Sequence, residues 1–229
     1  MGLDATDLDG PGFDAIVFDF DGLILDTEST EFDAWDALHR RYAGSPLARH
    51  VWLDSIGRKE LVGDPIRALR ERPDFAAIRE EYRLDRDRRN GAAEVRAGVA
   101  EWLADARRRQ IPVAMATSSG DGWADGHLCR LGLRDHFVAI SCVRDGIPGK
   151  PAPDLYLLAC EALGAQPPRT LAIEDSPPGV RAAKAAGLWC VAVPSPMTAG
   201  LDFAGADLVV ESLADIDYDA VVGALLATA

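Results

Sequence analysis

The chain has 229 residues, with 24 Lys and Arg against 37 Asp and Glu, for a formal net charge of −13. Hydrophobic residues make up 48% and charged residues 27%, the balance of a globular protein with a sizeable core. So acidic a chain is a poor partner for nucleic-acid phosphates, holds no run approaching the ~18 apolar residues of a membrane span, and must meet any phosphate with a locally positive site.

In chain order, the first element is the apolar run Ile16-Val17-Phe18, which stops at Asp19-Phe20-Asp21-Gly22. Residues two apart in a strand share a face, so both carboxylates leave its carboxyl end side by side. Two such groups repel, and burying them takes a cation or a shared proton. An acidic strand-end turn and a magnesium-assisted nucleophile with an acid/base beside it both fit this motif; the rest of the chain decides. From Ser29 to Ala93 there is no convincing strand, and Glu31 to Tyr42, Lys59 to Arg70 and Phe75 to Arg89 read as helices. An insertion of this length reads as a helical cap over a crevice.

Strand and helix patterns then alternate. Val99 to Gln110 is amphipathic, and Ile111 to Ala116 is an apolar run ending in Thr117-Ser118-Ser119-Gly120. Trp123 to Leu131 reads as a helix stopped by Gly132, and His136 to Ser141 as a strand. Pro153 to Leu163 is a helix closed by Gly164, and Thr170 to Ile173 a strand ending in Glu174-Asp175. Pro178 to Ala186 is a helix before Gly187, followed by strands at Trp189 to Val193 and Ala206 to Val210. Short continuous apolar runs suit parallel strands covered on both faces. Their alternation with helices predicts a doubly wound α/β sheet. In such sheets the residues at the strands' carboxyl ends share one crevice. Asp19, Asp21, Thr117, Ser118, Glu174 and Asp175 should therefore converge. The amides of Ser118 and Ser119 are expected near a helix amino terminus, which favours anions.

Four motifs together resemble the haloacid dehalogenase-like hydrolase superfamily: Asp19-Phe20-Asp21-Gly22 with Asp26-Thr27-Glu28; Ala116-Thr117-Ser118-Ser119; Gly149-Lys150-Pro151-Ala152-Pro153-Asp154; and Ile173-Glu174-Asp175-Ser176 with Gly179. The branch is similar to β-phosphoglucomutases and sugar-phosphate phosphatases with small helical caps. The resemblance implies a Rossmann-like core over residues 12–28 and 94–229 and a cap over 29–93. It implies Asp19 as nucleophile, Asp21 as acid/base, and Thr117 and Lys150 as their catalytic partners. Mg²⁺ would be held by Asp19, the Asp21 backbone carbonyl, Asp175 and Glu174, the last directly or through a neighbour. Hard magnesium suits this oxygen set. Thr117, Ser118, Lys150, Thr27 and the cap residue Arg58 would bind substrate.

The mutase branch carries a histidine where this chain has Glu31. That departure tilts the expectation toward a magnesium-dependent phosphatase of a small phosphorylated metabolite, such as a sugar phosphate, acting through an aspartyl-phosphate. A β-phosphoglucomutase-type phosphotransferase is the alternative, and a noncatalytic ligand-binding module ranks third. His39, His50, His127 and His136 read as structural or surface residues. Cys129, Cys142, Cys160 and Cys190 form no CxxC pair, which suits a reducing compartment. The acidic start lacks a signal-peptide pattern, so the expected location is cytoplasmic. The expected state is a monomer or weak dimer, with no nucleic-acid or membrane partner.

Overall fold

The computed structural model describes residues 12–56 and 64–228. Six parallel strands form one sheet in the order β3-β2-β1-β4-β5-β6. They are β1 (Ala15–Phe18), β2 (Val113–Gly120), β3 (Ala139–Val143), β4 (Thr170–Glu174), β5 (Trp189–Ala192) and β6 (Leu208–Val209). Strand order reverses at β1: the chain builds outward through β2 and β3, then returns to pair β4 on the other side. Such a switch point opens a crevice beyond the strands' carboxyl ends.

Every residue of β1, β4 and β5 is buried, which explains their unbroken apolar runs. Alternation survives as a difference in size. Ile16, Phe18, Met115 and Ile173 face α5 (Val99–Arg108), α6 (Trp123–Leu131) and α9 (Tyr218–Thr228). Val17, Ala114, Ala116, Ala172 and Ala192 face α7 (Asp154–Leu163) and α8 (Pro177–Ala185). Alanines on that face let α7 and α8 approach the sheet closely. Full burial of a large aliphatic side chain contributes about 1.5–3 kcal/mol, so Phe18 and Ile173 at 0% exposure anchor the strands that carry Asp19 and Glu174.

Between β1 and β2 lie α1 (Thr27–Ala43), α2 (Arg49–Ser55), α3 (Arg67–Arg70) and α4 (Phe75–Ala92). They share their own apolar cluster, including Trp35, Leu38, Trp52, Leu69 and Ile78. Trp35 stacks on Tyr82 with ring centroids 4.1 Å apart. Met197, from the loop after β5, joins this cluster and ties the insertion to the sheet domain.

Several elements depart from the sequence expectation. Helix α1 starts at Thr27 rather than Glu31, because Asp26 caps it by accepting from the Ser29 amide at 3.1 Å. The third strand starts at Ala139, because Arg134–His136 forms a single 3₁₀ turn. Of the helix expected over Lys59 to Arg70, Lys59 to Gly63 lie outside the described residues, Asp64 to Ile66 form a turn that departs from the expectation, and Arg67–Arg70 is helical. Helices α2 and α9 were not expected. The first is only 7 residues long, too short to show a period, and the second carries Gly223 amid continuous apolar residues. Strand β2 runs on through Ser118 and Ser119 to Gly120, with a register shift after Thr117. These two amides therefore lie in extended, bulged strand, and α6 begins only at Trp123.

Candidate active site

Register brings the acidic residues together. Phe18 pairs with Ile173, and the Asp19 amide donates to the Ile173 carbonyl at 3.0 Å. Asp19 thus emerges beside Glu174 and Asp175. These three offer carboxylate oxygens all within 4.8 Å of one another. The turn leaving β1 is tied by Gly22 N–H donating to Leu25 O at 2.7 Å. Gly22 has φ +85°, and a Cβ there would lie 2.0 Å from Asp175 Oδ2. Its glycine permits close approach in a left-handed turn, rather than the freedom of movement that Asp-Gly suggests.

Lys150 arrives on the loop before α7. Its ammonium donates to both Asp19 Oδ1 and Glu174 Oε1, and its backbone amide donates to Ser118 Oγ at 3.1 Å. Glu174 is fully engaged. Oε1 also accepts from the Tyr156 hydroxyl at 2.6 Å, and Oε2 accepts from the Asp175 amide at 3.1 Å and Ser176 Oγ at 3.2 Å. A Cβ at Gly179 would fall 2.0 Å from the Glu174 carboxylate, so only glycine leaves room for it. Tyr156 was missed by sequence reasoning: it reads as one more apolar residue of α7, and no local pattern reveals where its hydroxyl ends.

One ammonium serves a crowd of carboxylates. Burial and the charges of Glu174 and Asp21 push Asp19 up to about 8, against the pull of Lys150. Asp175 is raised well above the usual carboxylate range by burial, then by Asp19, Glu174 and Glu28. Among the described residues its Oδ2 is buried without a hydrogen-bond partner. A buried, unpartnered carboxylate oxygen among hard oxygen donors is what a divalent cation such as Mg²⁺ satisfies. The residues present fit such an ion.

Asp21 stands across from this cluster. Its Oδ1 accepts from Thr27 Oγ1 at 2.9 Å and from Trp123 Nε1 at 2.9 Å. Its Oδ2 accepts from Ser119 Oγ at 2.6 Å and from Thr117 Oγ1 at 3.3 Å. Thr117 is fully buried and also accepts from the Ser119 amide at 3.0 Å. Ser119, named in the sequence analysis only for its motif and its amide, has the shortest bond to Asp21; a register shift in β2 turns it there, and no sequence signal marks that shift.

A cavity of about 220 Å³ lies between these groups and the insertion, lined by Asp19, Asp21, Ser118, Ser119 and Lys150 on the sheet side. Thr27, Glu28, Glu31 and Ile56 line the other side. Burial, then Glu31 and Asp21, push Glu28 up to about 8. Burial and Asp21 raise Glu31, while Arg86 and a hydrogen bond with Tyr82 pull it down. Arg58 lies outside the described residues. A larger hollow of about 530 Å³ between α5 and residues 213–218 holds none of these groups. Its Arg109 is already paired with Asp105 and Asp219, and it lies away from the strands' carboxyl ends.

A family model described as haloacid dehalogenase-like hydrolase matches residues 13–187. The chain belongs to this family. It is 39% identical over 207 residues to YhcW of Bacillus subtilis, covering 89% of this chain and 93% of that one. It is 32% identical to the phosphorylated carbohydrates phosphatase of Thermotoga maritima, over 76% and 82% of the two chains. Among solved structures, CbbY from Rhodobacter sphaeroides in complex with phosphate matches with a TM-score of 0.70 at 31% identity, covering 89% of this chain and 96% of that one. These relatives place this haloacid dehalogenase-like hydrolase among the phosphoric monoester hydrolases. Among the described residues, no helix is long and apolar enough to cross a membrane.

Proposed function

We propose that the protein is a magnesium-dependent phosphatase that hydrolyses small phosphorylated metabolites, sugar phosphates foremost, through an aspartyl-phosphate on Asp19. The observation that carries this reading is Asp19 held between Lys150 and the unpartnered Asp175 oxygen, with Asp21 facing the same cavity. A nucleophile, a cationic neighbour and a proton donor are what phosphoryl transfer needs.

In this reading an Asp19 oxygen attacks phosphorus as the bond to the leaving oxygen breaks. Asp21 gives its proton to that oxygen, and the alcohol departs. Water then attacks the aspartyl-phosphate, Asp21 takes the water's proton, and phosphate leaves with Asp19 restored. Lys150 neutralises charge on Asp19 and on the phosphoryl oxygens. Ser118 Oγ accepts from the Lys150 amide, which leaves its own O–H free for a phosphate oxygen. Glu174 acts by fixing Lys150, since both of its oxygens are engaged within the protein. Asp19, Asp175 and the Asp21 backbone carbonyl would hold Mg²⁺, with Glu174 beside them; the ion supplies charge neutralisation to the phosphoryl group. Thr27 fixes Asp21, and Arg58 is the cap's contribution to the distal part of the substrate.

The test is phosphate release from a panel of sugar phosphates, nucleotides and glycolate phosphate, with and without EDTA. Release that stops on chelation and returns with Mg²⁺ is the expected result. Full activity after exhaustive chelation would sink the metal role. Glucose 1-phosphate with a bisphosphate primer separates hydrolysis from mutase chemistry: free phosphate supports the proposal, and rapid conversion to glucose 6-phosphate with little hydrolysis overturns it.

A further inference from the structure

Trp123 opens α6, and its indole N–H donates to Asp21 Oδ1 at 2.9 Å. Three other groups contact this side chain or brace it. The Arg86 guanidinium of α4 lies over the indole, 5.0 Å from its centre. His127, one turn further along α6, packs edge-on at 4.6 Å between centroids. His127 also packs on Phe20, the residue between the two aspartates, at 6.0 Å. On the insertion side Arg86 also covers Tyr82 at 5.6 Å, and Tyr82 stacks on Trp35 of α1. An unbroken set of contacts thus runs from the helical insertion through one indole to Asp21.

The donors around Asp21 differ in kind. An indole N–H can only donate, whereas a hydroxyl donates or accepts by rotating. Oδ1 faces the Trp123 indole and the Thr27 hydroxyl, so a proton there would meet one donor that cannot turn away. Among the described residues, Oδ2 accepts only from the hydroxyls of Ser119 and Thr117, either of which can turn to accept. Of these two, Ser119 lines the cavity and Thr117 is buried behind it.

We propose that Trp123 is a positioning residue for proton transfer: its indole N–H fixes Oδ1 of Asp21 and leaves Oδ2, beside Ser119, to carry the proton to the leaving oxygen. The inference rests on the phosphatase reading and adds a residue that none of the four motifs contains. The proton passes from Oδ2 to the leaving alkoxide as its bond to phosphorus breaks, and Asp21 is left as carboxylate. Contact with Arg86 makes the indole's position depend on where the insertion sits, so substrates that engage the insertion act on the proton donor through Trp123.

Trp123→Phe keeps an aromatic side chain, though a smaller one, and removes the N–H. The kinetics of wild type and variant are compared on two esters with Mg²⁺ present. β-Glycerophosphate releases an alkoxide that needs a proton; p-nitrophenyl phosphate releases a phenolate that leaves without one. Loss of an oriented general acid should lower kcat/KM on β-glycerophosphate about tenfold or more and leave kcat/KM on p-nitrophenyl phosphate within about twofold, since kcat/KM reports the first transfer and not the hydrolysis of the aspartyl-phosphate that both esters share. Equal losses of kcat/KM on both esters, or no loss on either, overturn the inference while the phosphatase reading stands. Wild-type protein that hydrolyses neither these esters nor any member of the sugar-phosphate panel overturns both. If Trp123→Phe does not fold, the contact is read in the intact chain by the indole N–H resonances of its 5 tryptophans. Asp21→Ala should move that of Trp123 alone, and an unmoved Trp123 resonance sinks the proposal.

Discussion

The Lys150 and Glu174 side chains at the sheet end of the cavity are 5% and 0% exposed, whereas Arg83 and Glu80 on α4 are 51% and 57% exposed. Both are ion pairs, yet they do different things. The first is buried, shares its ammonium with Asp19, and is fixed further by Tyr156. Breaking one member leaves an uncompensated buried charge. The second is one of several Arg–carboxylate pairs on the surface of the insertion, where water screens each of them. Chemistry is thus built where geometry is over-determined. The helices of the insertion pack instead around a small apolar cluster of their own.

The largest effect should come from Asp19→Asn. Removing the nucleophile should lower turnover by roughly four orders of magnitude or more, with the circular dichroism spectrum unchanged. Near-normal activity in folded protein would end the contrast between the two regions. Next comes Gly22→Ala, where the new Cβ meets Asp175 and the backbone holds φ +85°. A loss of at least about 1–3 kcal/mol in a denaturant melt is expected. A neutral outcome would mean that the turn below the site is not tightly fixed.

A third measurement varies pH. Asp19 is raised from 3.8, and Glu28 from 4.5, to about 8. A raised carboxylate contributes stability that is present below its unfolded value and lost as pH climbs through its folded one. Protein kept in EDTA should therefore melt at a lower temperature at pH 8 than at pH 5. Lys150, itself raised, stays charged throughout and does not reverse the trend. Added Mg²⁺ should raise the melting temperature more at pH 8 than at pH 5, since deprotonated carboxylates are the ligands. A metal-free protein that gains stability toward pH 8 would contradict the electrostatics of the cluster. Least of all should Arg83→Ala do; its pairs with Glu80 and Asp87 are surface-exposed, so an unchanged melting temperature is expected. A clear drop would show that the surface of the insertion is also tightly coupled.

The same contrast governs what could be read from the sequence. Asp19, Lys150, Glu174 and Asp175 lie where local pattern speaks: at the end of an apolar run, or between a glycine and prolines. The convergence of Asp19, Glu174 and Asp175 followed from strand-helix alternation, whereas Lys150 was placed with them by the family resemblance. Tyr156 and Trp123 were silent, and Ser119 was read for its amide rather than its hydroxyl, because each owes its role to a direction set by tertiary packing. The Tyr156 hydroxyl reaches Glu174 only because α7 lies close on alanine-rich strands. Ser119 turns toward Asp21 through a strand irregularity that leaves no mark in composition. Within the insertion, short helices and a surface rich in arginine blurred the periodicity, and α2 passed unseen.

Glu174 has one more consequence, for how the protein folds. Its carboxylate gathers groups from three separate stretches: the Lys150 loop, α7 through Tyr156, and the turn into α8 through Ser176. Lys150 in turn reaches Asp19, 131 residues away along the chain. Pairings of such separation form late, because closing the intervening chain must precede any gain from the contact. No single hairpin or helix can pre-assemble this centre. Recovery of turnover during refolding should therefore lag behind the return of helical signal and report completion of the whole sheet.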